Sequence, residues 1–187
     1  IDTRVYLSSA ELAAVTALAA IGFGPTGEPD IHFPCDDVLV ATRENAPEFE
    51  RLLSCLVEAN QVWAKTAPVL VLGVVSLQFA KNKQDNRAAV HDLGLAAGNL
   101  GVEATARGLA VHQMIGILPD KAREVYQIPE HFEAWTAMAI GYRADPATLP
   151  EALRVRDLTP RQRKRLSKFV FTGQWGQPSP LVLKPDP

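Results

Sequence analysis

Few of these 187 residues suit covalent or metal-based chemistry. Only two cysteines occur, Cys35 and Cys55, too few and too differently placed for a disulfide framework, so a reducing cytoplasm is the expected setting. His32, Cys35, Asp36 and Asp37 look like ligands, but their spacing fits no zinc pattern and no second pair follows, so no metal is expected. No catalytic triad is found. Long apolar runs are also missing: Lys65, Lys81 and Lys83 bracket the longest one, short of the ~20 residues that a membrane span needs. The opening IDTRVYLSSAEL lacks the basic-then-apolar layout of a secretory signal. Nor is there an excess of one charge, since a net charge of -2 offers no general attraction for nucleic acid or an anionic membrane. What remains is ordinary for a globular protein. With 47% hydrophobic and 21% charged residues, the chain is expected to form one domain over 1–187 with a sizeable core.

Local patterns divide the chain into elements. Ser8 with Glu11 has the form of a capping box, and Leu12, Val15, Leu18 and Ala19 share one face, which predicts a helix from Ser9 to Ala20. Residues 22–37, GFGPTGEPDIHFPCDD, have no period and are expected to form a long loop. A short strand follows at Val38 to Ala41. Asn45, Pro47 and Glu48 supply an N-cap, a first-turn proline and a capping glutamate. Phe49, Leu52, Leu53, Leu56 and Val57 then make one apolar stripe, predicting a helix with Cys55 on its core face. Residues 67–76, APVLVLGVVS, are apolar without alternation, which suits a strand covered on both faces.

The most informative segment runs from Asn86 to Arg107. Its Leu93, Ala97, Leu100 and Ala104 face predicts a helix, yet Gly94, Gly98 and Gly101 each cost about 1 kcal/mol against alanine. Close approach of another helix or backbone is the usual compensation. The helix is therefore expected at the centre of the domain and at a dimer contact, while Arg87, Asp92, Glu103 and Arg107 exclude a membrane helix pair. Gly108 ends it. A short strand and loop, LAVHQMIGILP, lead to a helix opened by Pro119, and Glu133 to Tyr142 reads as a further strand. After a turn region at 143–150, Thr159 is expected to cap a short basic helix, PRQRKRLSKF. From Thr172 onward the Pro-rich tail is expected to be disordered or laid on a partner subunit.

Several of these stretches together resemble the nitroreductase-like flavoproteins. They are the entry run Asn60-Gln61-Val62-Trp63-Ala64-Lys65-Thr66-Ala67-Pro68-Val69, the helix His91-Asp92-Leu93-Gly94-Leu95-Ala96-Ala97-Gly98-Asn99-Leu100, the run His112-Gln113-Met114-Ile115-Gly116-Ile117, and Ala139-Ile140-Gly141-Tyr142 with a basic segment some twenty residues later. The resemblance implies an α+β fold with a mixed central sheet flanked by helices, in an interlocked homodimer whose C-terminal arm, 172–187, packs on the partner. It also implies FMN at the subunit seam, with hydride passing from NADH or NADPH to the flavin. A nitro compound, quinone or similar small planar acceptor then takes it in ping-pong fashion. In such enzymes the cofactor does the chemistry and the protein positions and tunes it.

Carried over residue by residue, the resemblance assigns cofactor binding to six positions. Arg4, in Arg4-Val5-Tyr6, matches the end of the family's first basic motif. Ile115 and Gly116 occupy the place whose backbone N–H approaches the flavin N5. Arg161, Arg163 and Lys164 fall where late basic residues clamp the phosphate. His112 is a candidate proton donor. Two departures stand beside these matches. Asp2 replaces a serine with no basic pair before it, and the Pro25-to-Pro34 loop lacks the family's Asn, Gln and Trp. They define the alternative, a flavin-free relative acting as a binding or scaffold protein. Neither the acceptor nor the choice between NADH and NADPH is written in the chain.

Overall fold

The computed structural model describes residues 37–183. The helix expected from Ser9 to Ala20, Arg4, His32, Cys35 and the 22–37 loop up to Asp36 lie outside the described residues. The chain forms two compact units, one ending at Asp145 and the other beginning at Pro146.

In the first unit, β1 (Asp37–Thr42), β2 (Val69–Ser76), β3 (Ala110–Met114) and β4 (Phe132–Gly141) form a sheet in the order β1-β2-β4-β3. Every paired neighbour is antiparallel. The described sheet is thus not mixed, although its helical crossover is of the parallel kind. β2 and β3 run the same way, joined by helix α3 (Ala89–Ala106), but β4 inserts between them and pairs with both.

β2 is buried along nearly its whole length, as its unalternating sequence predicts. Leu70, Leu72 and Val74 face one core together with Phe49, Leu52, Cys55, Leu56, Ala64 and Ala122. These come from or adjoin helices α1 (Ala46–Leu53), α2 (Glu58–Ala64) and α4 (Pro119–Tyr126). Val69 and Val71 face the other side, where Ala97, Leu100 and Ala104 of α3 cover them. Gly73 lies on that same side. A Cβ there would stand 2.8 Å from Leu93 Cδ1 and 3.1 Å from Thr136 Cγ2, so glycine lets α3 settle onto the strand.

Helix α1 begins as expected, with Asn45 Oδ1 accepting from the Glu48 N–H at 3.5 Å. It stops at Leu53, however, and does not run on through Val57. The next residues pair instead with the segment after β3: Leu56 bridges Ile117, and Leu118 N–H donates to Cys55 O at 2.7 Å. Cys55 and Leu56 are fully buried in this pairing, so the apolar stripe reaches the core without remaining helical. Burial pushes the Cys55 thiol up, against pulls from Ser54, Lys121 and Arg51, which disfavours the reactive thiolate.

Helix α3 lies against one face of the sheet, not enclosed at the domain's centre. Leu93, Ala97, Leu100 and Ala104 are buried as predicted, while Leu95 and Val102 are 55% and 73% exposed. Gly94 and Gly98 are exposed, and a Cβ on either would meet nothing within 4 Å. Their smoothness is unused by the described chain.

The second unit differs from its sequence reading. Its helix is α5 (Glu151–Leu158), which ends where the basic helix was expected to start. Thr159 takes an extended conformation, φ -62° and ψ 125°, because Pro160 disfavours helical backbone before it. Residues 159–165 are therefore irregular, followed by a 3-10 turn at Leu166–Lys168. The tail folds on itself between Val170 and Ser179. Ser179 N–H donates to Val170 O at 3.0 Å, Thr172 N–H to Gln177 O at 3.1 Å, and the Phe171 and Trp175 rings lie 5.4 Å apart. Gly173 and Gly176 make the reversal possible at φ 76° and 85°. Trp175 nevertheless stays 94% exposed.

Candidate functional site

The segment between β3 and α4 is held from several directions. The Gly116 carbonyl accepts from the Val57 N–H at 3.1 Å and from Asn60 Nδ2 at 3.0 Å. One turn on from Asn60 along α2, Trp63 sets its ring 4.3 Å from that of His112 on β3. Upstream, Thr136 Oγ1 of β4 donates to Met114 O at 3.1 Å. The first turn of α2 thus braces the loop while its far end flanks the strand before it.

Within the loop, Ile117 N–H donates back to Ile115 O at 2.9 Å. In a trans peptide the C=O and the following N–H point to opposite sides, and no cis peptide is present among the described residues. Engaging the Ile115 oxygen therefore turns the Gly116 N–H the other way. Among the described residues, neither that N–H nor the one of Ile115 has a protein acceptor, and the Ile115 side chain is 87% exposed. The result is a presented donor on a braced backbone, the kind of group that stabilises negative charge arising on a ligand. Glycine is required at 116 for space, since a Cβ would stand 2.4 Å from Asn60 Nδ2 and 2.9 Å from Val57 Cγ2.

Of the residues proposed from sequence, Ile115 and Gly116 occupy this loop, with His112 exposed three positions earlier. Arg161, Arg163 and Lys164 belong to the second unit, exposed on its irregular segment. With Arg165 and Lys168 they put five cations and no carboxylate into residues 159–170. None joins an ion pair among the described residues, where the pairs are Arg51–Glu48, Arg107–Glu103 and Arg154–Glu151. Gln162, Arg163, Lys164, Leu166 and Phe169 line a shallow recess there. Sequence reasoning missed Val57, Asn60 and Thr136. Nothing local marks them, because their partners lie 59, 56 and 22 positions away.

The fold and this loop place the molecule among α+β proteins with a split crossover around an antiparallel sheet. The model of the nitroreductase family matches residues 35–142, and the chain belongs to that family. A relative in Mycolicibacterium smegmatis, described as an uncharacterized 15.4 kDa protein, is 32% identical over 133 residues, 71% of this chain and 88% of that protein. Among solved structures, an oxidoreductase containing FMN superposes with a TM-score of 0.77 at 23% identity, covering 91% of this chain and 84% of its own. A putative NADH dehydrogenase/NAD(P)H nitroreductase from Parabacteroides distasonis gives a TM-score of 0.60 at 14% identity, covering 91% and 89%. The family match ends before the basic segment.

Proposed function

We propose that this chain is one subunit of an FMN-dependent oxidoreductase of nitroreductase type. The observation that carries the reading is the outward Gly116 N–H, fixed on a braced loop and left without an acceptor among the described residues. Family membership and the FMN named for a structural neighbour support it.

The donor set fits such a cofactor. An isoalloxazine offers ring nitrogens and oxygens as acceptors and gathers negative charge on reduction, which a fixed N–H favours. Arg161, Arg163 and Lys164 are cations without acidic partners among the described residues, suited to a phosphate that carries about two charges. Bound FMN would supply the redox chemistry, a hydride relay between NAD(P)H and a nitro compound, quinone or similar small planar acceptor. The protein's part is to hold the ring edge at 115–116, neutralise the phosphate and keep His112 beside Trp63 as a proton donor.

The reading includes a homodimer. The uncovered strip of α3 carries His91, Leu95, Gly98 and Val102 at helical spacing, with Gly94 beside them. Three helix glycines cost roughly 3 kcal/mol, and a second copy packed on Gly94 and Gly98 is what offsets this. Residues 1–187 then form one domain in each subunit, the arm at 172–187 lies on the partner, and the dimer works in the cytoplasm.

The absorption spectrum of protein purified without added cofactor tests the proposal. A yellow protein that releases FMN on denaturation is expected. Colourless protein that also fails to take up added FMN rejects it in favour of the flavin-free binding protein.

A further inference from the structure

We infer that Asn60 is a positioning residue for the flavin, acting through Gly116; this rests on the function proposed above. Two groups hold the Gly116 carbonyl, and they differ in kind. Val57 offers a backbone N–H, which no side-chain change removes. Asn60 offers a carboxamide N–H at 3.0 Å, and its Nδ2 also fills the space where a side chain on residue 116 would begin. One side chain therefore completes the hold on the carbonyl and makes the tightest of the contacts that keep residue 116 a glycine. The Gly116 carbonyl and N–H belong to consecutive peptide planes joined at one Cα. That residue is the most permissive hinge available, having no Cβ to limit its rotation. The Ile117-to-Ile115 bond ties the two planes to each other across Gly116, while Val57 and Asn60 anchor the carbonyl's plane to α2 and its N-cap. Removing the carboxamide leaves the Val57 N–H as the one remaining anchor of the carbonyl, about which the linked planes can turn together, and the N–H loses part of the fixed aim that makes a preorganised donor effective.

Such a donor acts more strongly on the reduced, negatively charged ring than on the oxidised one. Its loss changes the ratio of the two affinities as well as the overall affinity, which distinguishes positioning from mere structural support. In the full chain, Asn60→Ala should weaken binding of reduced FMN about tenfold relative to oxidised FMN, which corresponds to a potential about 30 mV more negative for a two-electron couple. Gly116→Ala should lower FMN affinity by at least about tenfold in wild type but much less beside Asn60→Ala, because the 2.4 Å clash is gone while the 2.9 Å approach to Val57 remains.

The experiment measures the bound-flavin potential by dye equilibration and FMN affinity by fluorescence titration, for wild type, both single variants and the double variant. The wild-type Gly116 amide is also followed by NMR hydrogen exchange with and without FMN, which needs no variant to fold. Fast exchange without FMN and protection with it supports the inference, as do the shifted potential and the non-additive pair. An unchanged potential in Asn60→Ala or additive effects overturns the inference and leaves the proposed function standing, whereas a Gly116 amide unprotected by bound FMN overturns the inference together with the placing of the ring edge at 115–116. Wild-type protein that takes up no FMN overturns both.

Discussion

The packing of α3 on β2 makes a sharp stability prediction at Gly73. Replacing it with alanine removes the entropic cost of a strand glycine, which alone stabilises by roughly 0.5–1 kcal/mol. The new methyl would lie 2.8 Å from Leu93 Cδ1 and 3.1 Å from Thr136 Cγ2. Leu93 is 4% exposed, so its tip has little room to withdraw. Thr136 is committed through its hydroxyl to Met114 O, so turning its methyl away breaks that bond. Overpacking of this kind costs about 1–3 kcal/mol, leaving Gly73→Ala less stable by about 1–2 kcal/mol net. For a chain of this size that is a Tm lower by roughly 3–6 °C, readable by calorimetry or urea denaturation. A double-mutant cycle isolates the cause. Leu93→Ala alone costs about 2–4 kcal/mol, yet it vacates the space the new methyl needs. Gly73→Ala should therefore be nearly neutral in the Leu93→Ala background, a coupling of about 1–2 kcal/mol. If Gly73→Ala is as stable as wild type and the pair is additive, the close approach of α3 to β2 is not what the glycine serves.

Tyr126 donates to Glu48 Oε1 at 2.8 Å under the Arg51 guanidinium, and burial first, then the Glu48 bond, raise its pKa above the ordinary 10.0. Because the folded value is raised, its stabilisation is complete below pH 10 and is lost as pH climbs through the folded value. Tyr126→Phe should cost about 1 kcal/mol near neutral pH, a difference from wild type that shrinks only in alkaline urea titrations. Gly98→Arg, placed on the open strip of α3, should give a folded monomer by light scattering with little bound FMN; a dimer of unchanged flavin content would refute the seam proposed there. Arg163→Ala should weaken FMN roughly tenfold, by about 1.4 kcal/mol, and more so in dilute salt than in strong salt. Isothermal titration at two ionic strengths checks this, and equal affinity in both proteins would remove Arg163 from the phosphate site.

Much of the fold was legible in the sequence because its signals are local or periodic. The Asn45 cap, the unalternating β2, the Leu93-Ala97-Leu100-Ala104 face of α3 and the Pro119 opening of α4 depend on neighbours within a turn or two, and each lies where expected. The motif order around His112, Ile115 and Gly116 was likewise enough to name the family. Pro160, whose effect is just as local, ends α5 where a basic helix was expected. Tertiary structure decided the rest through contacts between distant residues. Pairing of 55–57 with 116–118 cut α1 short, although its apolar stripe continued. Insertion of β4 between β2 and β3 made the described sheet antiparallel. The hold of Asn60 on Gly116 joins residues 56 positions apart, and no periodicity carries information over that distance. A sequence states which residues prefer burial or a cap; which carbonyl a particular carboxamide meets is settled only when the chain has closed on itself.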